Sequence, residues 1–232
     1  MCIIILPYSY NADLKGMNMT RPSSNVDKKL LEAAKTLLPK TGFTNLSVRM
    51  VVRKAGVNLG MFNYHFKTKD AFIERLLTET YEDFFSKFTI EAQTGETSLE
   101  QFKNAIFSVA VFARDNRHMI AMLIEDVLLG NAKIVEFIKK NMTKHVTVII
   151  KLLKKCQKDG YIVKIPLFNI LPIIAASIIG PNVIIRLAEK HIATNLKLKF
   201  IVKLITNQIV SDKAINQRLD VVFKGLTPGG AA

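Results

Sequence analysis

From residue 26 onward, apolar side chains recur at spacings of three and four, and no sustained alternation with a period of two appears. A helix returns a side chain to one face about every 3.6 residues and a strand every two, so the pattern points to helices and away from a sheet. The chain is therefore read as all-α. With 49% hydrophobic and 22% charged residues among 232, it can bury a substantial core, which excludes wholesale disorder.

The first periodic segment runs from about Asn25 or Asp27 to Leu38, with Val26, Leu30, Ala34, Leu37 and Leu38 on one stripe. Asn25 or Asp27 can cap it, Pro39 can end or bend it early, and Gly42 marks a stop. Two short segments follow. Ser47 can cap a helix over residues 48–54 that ends at Ala55-Gly56, and Asn58 can cap another that reaches Phe66. Gly56 can adopt the left-handed conformation that ends a helix. A long helix and two short ones around a tight turn make a helix-turn-helix pattern. Beyond it the spacing predicts helices at about 70–89, 98–116, 117–129, 132–159, 167–190, 194–211 and 214–224, with breaks at Gly95, Gly130, Gly160 and residues 211–213.

Charge marks the same region. Residues 21–70 hold ten Lys/Arg against three Asp/Glu, about three times the excess density of the rest of a chain whose formal charge is +14. Such a block suggests a polyanion partner. Cys2 and Cys156 form no CxxC pair, so a disulfide framework or structural zinc site is not expected, and a reducing, cytosolic setting fits.

Residues 1–20 read as a poorly ordered extension without the basic segment of a secretory signal, and Met17 or Met19 could be a natural start. The longest uncharged stretch, Ile165 to Ile185, has the length of a membrane span, but Pro166, Pro172, Pro181, Asn169, Ser177 and Asn182 argue against hydrocarbon. A helix in a protein core or subunit interface explains it, and no membrane partner is expected.

On a wheel of 100° per residue, Leu59, Phe62 and Phe66 cluster as core anchors. Gly60, Met61 and Tyr64 then point away, flanked by Asn58, Asn63 and His65. A solvated face usually carries Lys and Glu. This one suits a major groove, where Gly permits close approach, Met packs on a thymine methyl and Asn pairs with adenine.

At these residues the chain resembles the tetracycline-repressor (TetR) family of bacterial transcriptional regulators. The match runs through Ala33, Ala34, Leu37, Gly42-Phe43, Ser47-Val48-Arg49, Ala55 to Gly60, Phe62, Tyr64-His65-Phe66 and Lys69-Asp70. The resemblance implies a three-helix DNA-binding domain (21–69) followed by a larger helical effector-binding and dimerisation domain (70–226), with a flexible tail at 227–232. It implies that Gly60 and Asn63 approach bases while Ser47, Tyr64, His65 and Lys69 bind phosphates. The full set expected to meet DNA is Ser47, Arg49, Asn58, Leu59, Gly60, Met61, Asn63, Tyr64, His65 and Lys69. The sequence departs from the family pattern at Asn63, where many members carry an aromatic residue, and at Leu59, where many carry a polar or basic one.

The implied function is a ligand-responsive repressor that binds a palindromic operator as a homodimer and is released by a small, mostly apolar effector. The uncharged 165–185 stretch is too apolar to face water whole, so Ile173, Ala176, Ser177, Ile179, Gly180 and Ile184 are expected to pair across a two-fold axis. Phe102, Phe107, Phe112, Met119, Met122, Phe137 and Met142 build the core, and some of them are expected to line the effector cavity. A redox-responsive regulator using Cys156, whose basic neighbours would lower its thiol pKa, is the alternative; a basic membrane-surface protein ranks below it. His118, His145 and His191 lack metal-ligand spacing, and no phosphate loop or nucleophile motif occurs. No catalysis, metal or cofactor is expected.

Overall fold

A computed structural model describes residues 25–141, 143–189 and 195–229. The expected amino-terminal extension, together with Met142 and His191, lies outside the described residues, as does the end of the tail. The described residues form eleven helices and no strand.

α1 (Val26–Asn45) starts after Asn25, whose side chain makes no cap hydrogen bond. It does not end near Leu38; the helix continues to Gly42, where φ 68° and ψ 176° break it. A β-carbon at Gly42 would stand 3.6 Å from Met122 Sδ, so the kink lies close against a later helix.

α2 (Val48–Ala55), α3 (Leu59–Phe66) and α4 (Lys69–Glu91) each begin on a side chain that accepts a backbone N–H. Ser47 accepts from Met50, Asn58 from Met61 and Thr68 from Ala71. Each cap satisfies a donor that the first turn leaves unpaired. Gly56 closes α2 in the left-handed conformation, φ 67° and ψ 32°.

The body comprises α5 (Ser98–Asp115), α6 (Arg117–Leu128), α7 (Ala132–Asn141), α8 (Lys144–Lys158), α9 (Leu167–Leu187), α10 (Leu196–Val210) and α11 (Asp212–Leu226). Thr97 and Glu100 form a reciprocal capping box at the start of α5. The single helix expected over 132–159 is two. Asn141 turns its amide onto the Phe137 carbonyl and Thr143 its hydroxyl onto that of Lys139, the local competition by which Asn and Thr weaken a helix.

Two cores share one axis, α4. Its first half places Phe72, Ile73, Leu76 and Leu77 with α1, α2 and α3, and Met119, Met122, Leu123 and Phe137 of the body complete that cluster. Its second half places Tyr81, Phe84 and Phe88 with α5, α8, α9 and α11. Any tilt of α4 therefore repacks both cores, because interiors this dense do not deform continuously.

α9 is long and apolar enough to cross a membrane. One face, Ile170, Ile174, Ile178, Asn182 and Ile185, is buried in the protein.

Candidate nucleic-acid interface

α3 is held by Phe62 and Phe66, whose rings meet each other and Phe72 of α4 at centroid separations of 4.8–5.5 Å. Such aromatic contacts fix the roll of a short helix. That roll differs from the one the sequence suggests. Met61 and His65 are half-buried and Met61 packs on the first core, whereas Leu59 stands 47% exposed. At 100° per residue the buried arc holds Met61, His65, Phe62 and Phe66. Leu59, Asn63, Gly60 and Tyr64 occupy the opposite arc of about 140°.

This corrects two expectations at once. Leu59 is not a core anchor, and Met61 does not point away from the core. The reason is tertiary: α3 docks on α1, α2 and α4 together, and the side toward which it leans cannot be read from α3 alone.

The exposed arc is chemically mixed. Tyr64 is 66% exposed with its ring edge against His65 at 5.2 Å. Asn63 has a free surface, and its carbonyl accepts from Lys67 N–H at the helix end. A β-carbon at Gly60 would lie 3.3 Å from Asn58 Oδ1, so glycine here eases the cap as well as the approach of a ligand. Asn58 itself spends its side-chain oxygen on Met61 N–H at 2.9 Å, leaving its amide N–H groups outward.

Beside the arc, Ser47 and Arg49 are exposed on α2, with Arg53 and Lys54 exposed further along it. Ser47 accepts from Met50 N–H at 3.2 Å and keeps its hydroxyl proton for another partner. Lys69 is half-buried in the first turn of α4 and borders a cavity of about 510 Å³. His65 is enclosed at Nε2, which has no hydrogen-bond partner among the described residues. Ser47, Arg49, Asn58, Leu59, Gly60, Asn63 and Tyr64 are thus all exposed, while Met61 and His65 are half-buried.

α3 ends in a turn that sequence reasoning missed. Lys67 takes φ 60° and ψ −51°, and Thr68 N–H closes onto the Phe66 carbonyl at 2.6 Å. This is a γ-turn of the strained kind, and it sets the angle between α3 and α4. Thr68 caps α4, and a Thr three residues before Ala71 is a recognisable cap signal.

The redox alternative fails on geometry. Cys156 is fully buried, its thiol donates to the Ser98 carbonyl at 3.1 Å, and burial raises its pKa. Lys154, Lys155 and Lys158 are exposed on other faces of α8 and do not form an electropositive pocket around the sulfur.

A long helix, a short capped helix, a left-handed glycine turn and a second short helix with a mixed exposed arc, set on an all-helical body, define a helix-turn-helix DNA-binding regulator. Comparison with known proteins points the same way. Residues 30–76 match the family described as bacterial regulatory proteins, tetR family, and the chain carries that family's DNA-binding domain. It is 23% identical over 141 residues to a probable HTH-type transcriptional regulator, YttP, of Bacillus subtilis, an alignment covering 60% of this chain and 68% of that one. The fold is similar to that of the ketosteroid transcriptional regulator KstR2 of Mycobacterium tuberculosis, with TM-score 0.64, 15% identity and coverage of 87% and 95% of the two chains. It is also similar to the transcriptional regulator FadR of Bacillus subtilis in complex with stearoyl-CoA, with TM-score 0.60, 14% identity and coverage of 80% and 98%.

Proposed function

We propose that the protein is a cytoplasmic repressor that binds a palindromic operator as a homodimer and leaves it when a small, mostly apolar effector binds the body. The observation that carries the reading is the exposed arc of α3, Leu59, Gly60, Asn63 and Tyr64, rolled outward by the Phe62 and Phe66 anchors. In a dimer the two arcs enter successive major grooves about 34–36 Å apart. Gly60 lets the backbone approach, Asn63 reads a base, and Ser47, Arg49, Tyr64 and Lys69 hold the phosphates.

Dimerisation uses the outer face of α9, where Ile173, Ala176 and Ile184 are exposed, with α10, which exposes Leu196, Phe200, Leu204 and Ile205. Ser177, Ile179 and Gly180 are half-buried at its margin.

The effector acts on α4. The cavity of about 510 Å³ borders its first half at Ile73 and Leu77, opposite Phe43 and Phe137. A second, of about 470 Å³, borders its second half at Thr80 and Phe84, opposite Phe107 and Phe112. Of the Phe and Met residues expected near an effector, Phe107, Phe112 and Phe137 thus line cavities, while Phe102, Met119 and Met122 are core. The likeness in fold to a ketosteroid transcriptional regulator and to a regulator in complex with stearoyl-CoA supports an apolar effector. Wedging α4 shifts α3 through the Lys67 turn and changes the spacing of the two readers. A coupling of about 1–3 kcal/mol, or 5–150-fold in affinity, is the scale of such switches.

The test is protection of the DNA upstream of the protein's own gene. A salt-dependent, two-fold symmetric footprint is expected. Binding without sequence preference would refute the reading.

A further inference from the structure

Where α6 begins and α9 ends, beside α10, lies a cavity of about 350 Å³ lined by Arg117, Glu189, Lys199, Lys203, Thr206 and Asn207. Three cationic side chains face one carboxylate. The two larger cavities have the reverse balance, with Asp70, Glu74, Asp126 and Glu136 against two lysines in the first, and Asp83, Glu91 and Asp115 against two in the second.

Glu189 offsets this charge only in part, as one carboxylate against Arg117, Lys199 and Lys203. Its carboxylate lies 3.6 Å from Arg117 Nη2 and 3.9 Å from His118 Nδ1, both outside hydrogen-bond length. Arg117 Nε, His118 Nδ1 and Arg186 Nε are enclosed and have no hydrogen-bond partner among the described residues. The four groups form one cluster: burial, Arg117 and Arg186 lower the imidazole pKa, and Glu189 opposes them. His118 therefore adds a neutral ring to a site that stays cationic through its arginines and lysines. Buried donors are nearly always paired, so the unpaired Nε of Arg117, a residue that lines the cavity, marks a place that an acceptor would complete.

We propose that this cavity binds an anionic group, a carboxylate or phosphate, of a small molecule, with Arg117 and Lys203 as its main partners and Lys199 beside them. The planar fork of Arg117 suits a two-oxygen acceptor, and the lysines add point charge. Val202 gives the cavity one apolar wall. The volume holds a head group and a few carbons, not a long chain. α6 runs on from Arg117 into Met119, Met122 and Leu123, which close the core beneath the DNA-binding helices. The site goes beyond the repressor reading and does not depend on it, because its test measures anion binding in the absence of DNA.

The experiment titrates the full-length protein with inorganic phosphate and, separately, with octanoate, octanol and octyltrimethylammonium, at a constant ionic strength of about 0.15 M. Melting temperature and calorimetric heat are the readouts. A saturable effect of octanoate or phosphate is expected, absent for octanol and the cation. Phosphate alone active identifies a free inorganic anion; octanoate active identifies the head group of an amphiphile. Arg117→Gln should weaken binding about tenfold or more. Lys203→Gln, at an exposed position that leaves the fold intact, should weaken it too, and Lys158→Gln, exposed on α8 away from all three cavities, should not. Overturning results are no saturation by either anion, equal loss in Lys158→Gln, or an unchanged anion affinity in Lys203→Gln.

Discussion

Tyr81 of α4 and His145 of α8 are joined twice: the His145 backbone N–H donates to the Tyr81 hydroxyl oxygen at 3.2 Å, and the hydroxyl lies 3.1 Å from His145 Nδ1. With its oxygen already accepting, the hydroxyl donates to the ring, which places the imidazole proton on Nε2. Tyr81, Phe84 and Phe88 surround that ring at 5.6–6.2 Å between centroids. The pair fastens α4, the helix that follows α3, to the body.

Burial in this apolar ring holds the His145 pKa down at about 4. The sign follows from proton counting. Between its ordinary value near 6.5 and about 4, the unfolded chain takes up a proton that the folded chain refuses, so stability is full above the upper value and falls with pH through that window. A loss of up to about 3 kcal/mol by pH 4 is expected from this group. Denaturant titrations at several pH values should show His145→Gln losing less stability over the window than the parent chain. Parallel profiles would assign the acid sensitivity elsewhere.

Lys67 should be better as glycine. Its φ of 60° with ψ of −51° is strained for any residue with a β-carbon, whereas glycine adopts it freely. Against the gain stands the greater freedom that glycine has in the unfolded chain. A net stabilisation on the order of 1 kcal/mol, or about 2–4 °C in Tm, is expected for Lys67→Gly. Lys67→Ala should give none. Equal effects of the two would mean that the turn is unstrained.

The helix-turn-helix was legible because its signals are local: Ser47, Asn58 and Gly56 each act within one turn of chain, and the helices follow from them. The roll of α3 was not, since Met61 and Leu59 differ in burial only through α1, α2 and α4. Cys156 misled for a similar reason. Its lysine neighbours in sequence leave it on other faces of α8, while Ser98, 58 positions away, is its partner. The cationic cavity draws Arg117 from α6, Glu189 from just past the end of α9 and Lys203 from α10, and no spacing rule connects them.

The exposed arc predicts a division of labour on DNA. Asn63→Ala should relax preference at one base pair per half-site at a cost of about 1–3 kcal/mol, leaving affinity for random duplex unchanged. Tyr64→Ala should weaken specific and random DNA alike. Met61→Ala, by contrast, should lower stability before it touches specificity, because that side chain packs inward. Binding to a panel of single-base operator variants measures all three. An Asn63→Ala protein that lost both affinities equally would have Asn63 on a phosphate.

Dimerisation is best tested on α10 and the outer edge of α9. Phe200 is 63% exposed and Ile173 52%, and burying each across a two-fold axis removes two copies from water. At about 1.5–3 kcal/mol for each large apolar side chain, such an interface is stable, and a charge at its centre is felt twice. Phe200→Asp and Ile173→Arg are therefore expected to sediment as folded monomers. Ile179→Arg is a poor probe, because Ile179 is half-buried against the body's own core and its loss would unfold the chain. Monomers keep one reader each and lose the joint engagement of two half-sites, so operator affinity should fall by about 10²–10⁴-fold while half-site contacts persist. Sedimentation velocity with operator titrations checks both, and a stable dimer of the Phe200→Asp, Ile173→Arg double variant would place the interface on another face.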